Sequence, residues 1–189
     1  MITGNLEYLV SSLPYLSFQD AEEVQLKVSS IFNKYTAPSG EEKNLTAILD
    51  NEAEKFLTPS ASDLLRQINL GTIHKTSFQQ SKNKVLAAFS TYAFALKEEI
   101  RQLRMSRRND PIQPLSKKQF LSLTPGTPLD EELQLLKLKW DKLEALSVGH
   151  YTDFGALVIY KLKLMLLLRW WSFDRDKGFG IFEQTVKKD

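Results

Sequence analysis

Residues Phe154 to Trp171, FGALVIYKLKLMLLLRWW, constrain the fold more than any other stretch. Only three of these eighteen residues are charged: Lys161, Lys163 and Arg169. The apolar residues surround the helix instead of keeping to one stripe. A helix that is apolar on most of its circumference belongs in a core or a membrane. Asp153 precedes the run as a natural N-cap. A membrane span needs about 20 mostly apolar residues. This run falls short, and Lys161 and Lys163 sit near its middle. Each such charge costs roughly 2.5–3.5 kcal/mol at a bilayer centre. The expectation is a helix buried in a protein core or interface, with the chain built around it.

The remaining segments predict further helices. Leu6, Leu9, Val10 and Leu13 keep helical spacing until Pro14 stops them. Val24, Val28, Ile31, Phe32 and Tyr35 form a second stripe, and Leu45, Ile48, Leu49, Ala53, Phe56 and Leu57 a third. Glu41 and Glu42 stand near the start of the third stripe, where negative charge suits the helix dipole. Thr58-Pro59 opens a fourth helix, with Gly71 as its closing residue. Ser77 and Gln80 read as a capping box. No Gly or Pro interrupts the chain from there to Arg108. The predicted rod is roughly 45–50 Å long at ~1.5 Å per residue. Thr127-Pro128 opens another helix with Asp130 and Glu131 in its first turn, carrying Leu129, Leu133, Leu136, Trp140 and Leu143. Gly149 ends it.

The predicted helices lie near 5–13, 20–35, 42–57, 60–70, 77–107, 129–147 and 153–172. No segment sustains strand alternation. The expected fold is an all-α, multi-helix bundle with one long central helix and a strongly hydrophobic C-terminal helix. It forms a single helical domain over 1–189, with halves 1–108 and 129–189 joined by a connector at 109–128. Pro111, Pro114, Pro125 and Pro128 mark that connector, and Phe120 to Leu123 is its short apolar piece.

Composition narrows the function classes. The net charge of +2 does not imply nucleic acid or membrane as a partner. Residues 1–96 carry 8 basic and 10 acidic side chains, whereas residues 97–189 carry 17 and 13, so the second half is the basic one. The chain has no cysteine, which removes disulfides and thiolate chemistry and fits a reducing compartment. The opening MITGNLEYLV has neither the basic nor the apolar region of a secretion signal, so a cytoplasmic location is expected.

No catalytic or ligand motif survives comparison with its chemical requirement. His74 and His150 are far apart and lack metal-ligand spacing, so no metal is expected. No GxSxG elbow and no phosphate-binding Gly-Lys-Ser/Thr loop occurs, so neither an enzyme nor a bound cofactor is expected. Asp174 to Gly178 begins like a calcium loop, but Phe179 and Thr185 stand where Gly and Glu are required. Lys177-Gly178-Phe179-Gly180 matches the start of an RNA-recognition motif and then departs from it.

Two groups are candidates for partner binding. Arg101, Arg104, Arg107 and Arg108 end the long helix. They are either a solvated end that complements the helix dipole or a docking patch for an acidic partner. Arg101, Arg104 and Arg108 share one face by their spacing of three and four. Trp170 and Trp171 point about 100° apart on a helix. Either both are covered within the fold, or one lies at a protein interface.

Two stretches resemble known families. Leu6 to Leu16, LEYLVSSLPYL, resembles the start of a small bacterial family encoded alongside V-type ATPase subunits. Members of that family open with a tyrosine-rich YYLV-like stretch leading into an LP-x-L turn. Phe154 to Tyr160, with Lys163 and Arg169, is similar to the C-terminal helix of the C (d) subunit of V-type and archaeal ATPases. That subunit is all-helical and couples the ion-translocating ring to the rotor shaft. Acidic positions of the family helix are here Lys161, Lys163 or apolar.

The resemblance implies a non-catalytic coupling or assembly subunit of a bacterial V-type ATPase. Its partners would be other ATPase subunits, on the rotor shaft or the membrane ring. Attachment at the inner face of the cell membrane would be peripheral, through those partners. Two readings remain beside it: a generic helical protein–protein interaction scaffold, and an RNA-binding protein using the basic half.

Overall fold

A computed structural model describes residues 6–19, 22–32, 44–107, 123–124 and 126–173. The described residues form eight helices and no strand. In chain order these are α1 (Leu6–Ser12), α2 (Glu22–Phe32), α3 (Leu45–Glu54), α4 (Pro59–Gln67), α5 (Thr76–Gln79), α6 (Lys84–Arg107), α7 (Pro128–Ser147) and α8 (Phe154–Trp171). The all-α expectation holds.

The apolar stretch is α8, and it lies at the centre. It packs against α7, α6, α3 and α1. Asp153 caps it, its Oδ1 accepting from the Ala156 amide at 2.9 Å. Leu157, Leu162, Leu164, Leu166 and Leu167 are all fully covered. Each such burial is worth roughly 1.5–3 kcal/mol. Among the described residues no helix is long and apolar enough to cross a membrane.

Gly155 lets the start of α8 approach its neighbours. A Cβ there would lie 2.8 Å from His150 Nδ1 and 3.2 Å from Val85. The His150 ring is not free to yield, because its Nδ1 is 2.6 Å from Asp153.

The predicted continuous rod over 77–107 is broken. α5 is a single turn, and α6 starts afresh at Lys84. The reason is local hydrogen bonding. Asn83 Oδ1 accepts from the Leu86 amide at 2.9 Å, and Ser81 Oγ accepts from the Asn83 amide at 3.2 Å. Ser and Asn side chains offer the backbone an alternative to helix here. The 24-residue α6 is thus about 36 Å long.

The expected Ser77–Gln80 capping box also fails. Lys75 is the N-cap of α5, and Gln80 is its C-cap. Gly71 does not close α4. The chain turns extended at Ile68, and Asn69 Oδ1 receives the Gly71 amide at 2.7 Å. Gly149 does take the left-handed conformation, with φ 85°, at the end of α7. Asn44, three residues after Glu41, is the cap of α3 and accepts from Thr46 and Ala47. Glu41 and Glu42 themselves lie outside the described residues, as does Tyr35.

Thr127 forms a capping box with Asp130 at the start of α7. Hydrogen bonds from Thr127 hold the Asp130 carboxyl below its ordinary pKa. Leu129, expected on the apolar stripe, is exposed. Most of the connector lies outside the described residues, Pro111, Pro114, Phe120 and Pro125 included. Its end is fastened by two bonds between the Thr124 backbone and the Gln134 amide, at 2.8 and 3.0 Å.

Lys161 sits inside the core at 1 % exposure. Its ammonium donates to both carboxylate oxygens of Asp50, at 2.7 and 2.8 Å, and to the Leu65 carbonyl at 2.7 Å. One charge on α8 therefore ties down α3 and α4 together. Burial still pushes its pKa below the ordinary lysine value, against the opposing pull of Asp50. Lys163 takes the other course. It bonds Glu144 at 2.8 Å and lies over the Trp140 ring at 5.1 Å.

Candidate functional site

A groove of about 590 Å³ runs between α6, α7 and the turn that follows α4. Its floor is apolar: Phe89, Ala93 and Leu96 from α6, and Leu135 from α7. These residues lie there because α6 and α7 also share a small apolar cluster, in which Leu96 meets Leu135 and Ile100 packs beside them.

The rim is cationic. Lys97, Arg101 and Arg104 follow one another along α6, and Lys139 faces them from α7. Glu132 is the acid among the lining residues. The Lys97 ammonium is 2.8 Å from His74 Nε2. Burial, then the charges of Lys97 and Lys75, hold the His74 imidazole below its ordinary pKa. A neutral ring accepts a hydrogen bond from the Lys97 ammonium, and the positive charge stays on Lys97. Burial also lowers the pKa of Lys139, opposed by Glu132 and reinforced by Arg169.

The arginines expected to act together are divided among roles. Arg101 Nε bonds Glu98 at 3.0 Å, and its Nη1 is directed at the Met105 sulfur. Arg104 lines the groove and has no ion pair among the described residues. Arg107 instead forms a two-pronged bond to Glu131, at 2.7 and 3.0 Å, which clamps α6 to α7. This bond raises the Arg107 pKa and lowers that of Glu131. Arg108 lies outside the described residues.

Trp170 and Trp171 are half-buried and serve the fold. Trp170 meets Phe18 with the rings tilted at 39° and their centres 4.3 Å apart, and Phe18 in turn meets Trp140 at 5.4 Å. Trp171 Nε1 donates to the Gln19 carbonyl at 3.1 Å. Trp170 borders a second depression of about 470 Å³ with Leu133, Lys137 and Leu138 of α7. Glu132, Leu135 and Lys139 of α7 line the basic groove. By helical spacing these two sets point to opposite sides of α7, so the tryptophans and arginines do not form one site.

Sequence reasoning missed Lys97, Lys139 and His74 as groove residues. Lys97 continues the arginine face at the same four-and-three spacing, a legible signal. Nothing in LLKLKW distinguishes Lys139 from its neighbours. The Lys177–Gly180 stretch and the false calcium loop lie outside the described residues. Among the described residues no cluster of three His, Asp or Glu side chains is placed to hold a metal ion.

No protein-family model, curated protein or solved structure matches the chain.

Proposed function

We propose that the chain is a non-catalytic coupling or assembly subunit that docks an acidic partner on the basic groove between α6 and α7. The observation that supports this is the arrangement of Lys97, Arg101, Arg104 and Lys139 around an apolar floor. Complementary charge speeds encounter and fixes register, and the apolar floor adds affinity. Coupling also requires a stiff body. A helical bundle in which α6 and α7 pack on the central α8 meets that requirement.

The two resemblances supply the assembly: a bacterial V-type ATPase, with partners on the rotor shaft or the membrane ring. The protein would then be cytoplasmic and peripheral at the inner face of the membrane. Lys161 takes no part in docking on this reading, since it is spent on Asp50 inside the core. A generic scaffold would use the same groove with another acidic partner. RNA binding has less support, because among the described residues no exposed aromatic for base stacking lines the groove.

The test is co-expression with rotor-shaft and ring subunits, followed by affinity purification. Wild type should retain an ATPase subunit, and the triple variant Arg101→Glu, Arg104→Glu, Arg108→Glu should lose it at unchanged helicity. Exposed charge changes usually cost less than about 0.5 kcal/mol each. Retention of the triple variant at wild-type yield across a salt series rejects the basic face as the dock. Failure of wild type to retain any ATPase subunit rejects the assembly and leaves the scaffold.

A further inference from the structure

The cations on the rim are arranged in a row. Lys97, Arg101 and Arg104 are spaced four and three residues apart, so they extend over about 10 Å of α6. Lys139 faces that row from α7. A pocket for a small anion converges its polar groups on one point. Here a single carboxylate or phosphate would meet only part of the row. The floor has a matching period. Ala93, Leu96 and Ile100 recur at three and four residues, the spacing by which one helix seats another. From Phe89 to Met105 the groove follows α6 for about 24 Å. Its floor consists of two packed helices, so a third helix laid along it would complete a three-helix arrangement.

We infer that the groove receives an amphipathic α-helix of a partner protein, with acidic residues at i, i+4 and i+7 facing Lys97, Arg101 and Arg104. The inference rests on the docking reading above and adds the form of the docked segment. The apolar face of the helix lies on Leu96, Ile100 and Leu135. A further carboxylate reaches Lys139, which has Glu132 as its acidic neighbour and Arg169 working against its charge. Arg104 supplies the second anchor. Arg101 shares its guanidinium with Glu98 and keeps donors to spare.

The experiment uses the full chain and two synthetic peptides of about 16 residues, long enough for the ~24 Å groove. Both are hydrocarbon-stapled, because a free helix of that length is marginal in water. One carries Glu at i, i+4 and i+7 beside a Leu stripe. The other has the same composition scrambled, so that Glu and Leu share every face. Binding is read by fluorescence anisotropy and by methyl NMR shifts at Leu96, Ile100 and Leu135. The patterned peptide should bind at least about tenfold tighter than the scramble. Raising salt should weaken it, as it screens the rim charges. Lys97→Glu with Arg104→Glu should weaken it by at least about tenfold. Lys139→Met, which keeps the buried stem and removes the charge, should also weaken it.

Equal binding of both peptides overturns the helix inference and leaves the groove as an acid-docking face. Binding of neither peptide overturns the inference and counts against the docking reading as well. Displacement of the patterned peptide by dodecanoate at a lower concentration than the scramble requires overturns the inference in favour of a small-amphiphile pocket.

Discussion

Replacing Asp50 with Ala should be among the most damaging single changes in the chain. It leaves the Lys161 ammonium in the core with the Leu65 carbonyl as its hydrogen-bond acceptor, at 2.7 Å. Removing one member of a buried ion pair typically costs about 3–5 kcal/mol, because the other charge stays desolvated. For a chain of this size that corresponds to a melting-temperature fall of roughly 10 °C. The double change Asp50→Ala with Lys161→Met behaves differently. It removes both charges and fills the lysine channel with an apolar side chain of similar length. The Leu65 carbonyl still accepts from the Ile68 amide at 3.2 Å, so it is not orphaned. The double variant should therefore recover to within about 1–2 kcal/mol of wild type. Urea denaturation followed by circular dichroism measures both. The pH dependence gives a second reading. Burial depresses the folded pKa of Lys161, so the unfolded chain binds more protons between that value and the unfolded value of about 10.4. Stability contributed by this group therefore rises with pH across that window and is lost as pH falls through it. Lys161→Met should abolish this component in a wild-type-minus-variant comparison. A single Asp50→Ala cost below about 1 kcal/mol, or a double variant as unstable as the single, would refute the assignment of Lys161 as a buried charge held by Asp50.

Three further outcomes follow from particular contacts. Asn83→Ala removes the side-chain cap of α6 and should lower unfolding free energy by about 1 kcal/mol; Asn83→Asp should restore most of it. Gly155→Ala should destabilise by about 1–3 kcal/mol, since the new methyl meets the fixed His150 ring and Val85; an unchanged melting temperature would contradict the close approach. Lys97→Met should raise the His74 pKa in an NMR titration, because the Lys97 charge helps to hold it down. No movement of that pKa would show that burial and Lys75 set it without Lys97.

The helices were largely legible because apolar spacing and caps reinforced one another. Asp153 before Phe154 and Thr127 before Pro128 mark starts that the structure keeps. The break before α6 was not legible from propensity. It depends on Ser81 and Asn83 competing for backbone bonds, which a scan for Gly and Pro passes over. The Lys161 pair joins residues 111 apart in sequence. In one sequence a lysine among leucines marks a buried partner or a membrane boundary equally well. The groove was half legible. Spacing placed Arg101 and Arg104 on one face, but only tertiary packing brings Lys139 and His74 beside them and sends Arg107 to Glu131 instead. By type the tryptophans fitted the core and an interface equally well; in the structure Phe18 and the Gln19 carbonyl take up their ring face and indole N–H.

Hydrogen exchange of the chain, alone and with the patterned acidic peptide bound, tests the docking claim most directly. Deuterium uptake is compared helix by helix. The account predicts new protection over the second half of α6, from Lys97 to Arg107, and over the part of α7 from Glu132 to Lys139, with α1 and the last turn of α8 around Trp170 unchanged. Protection centred on Trp170 and Phe18, with α6 exchanging as in the free chain, would contradict it.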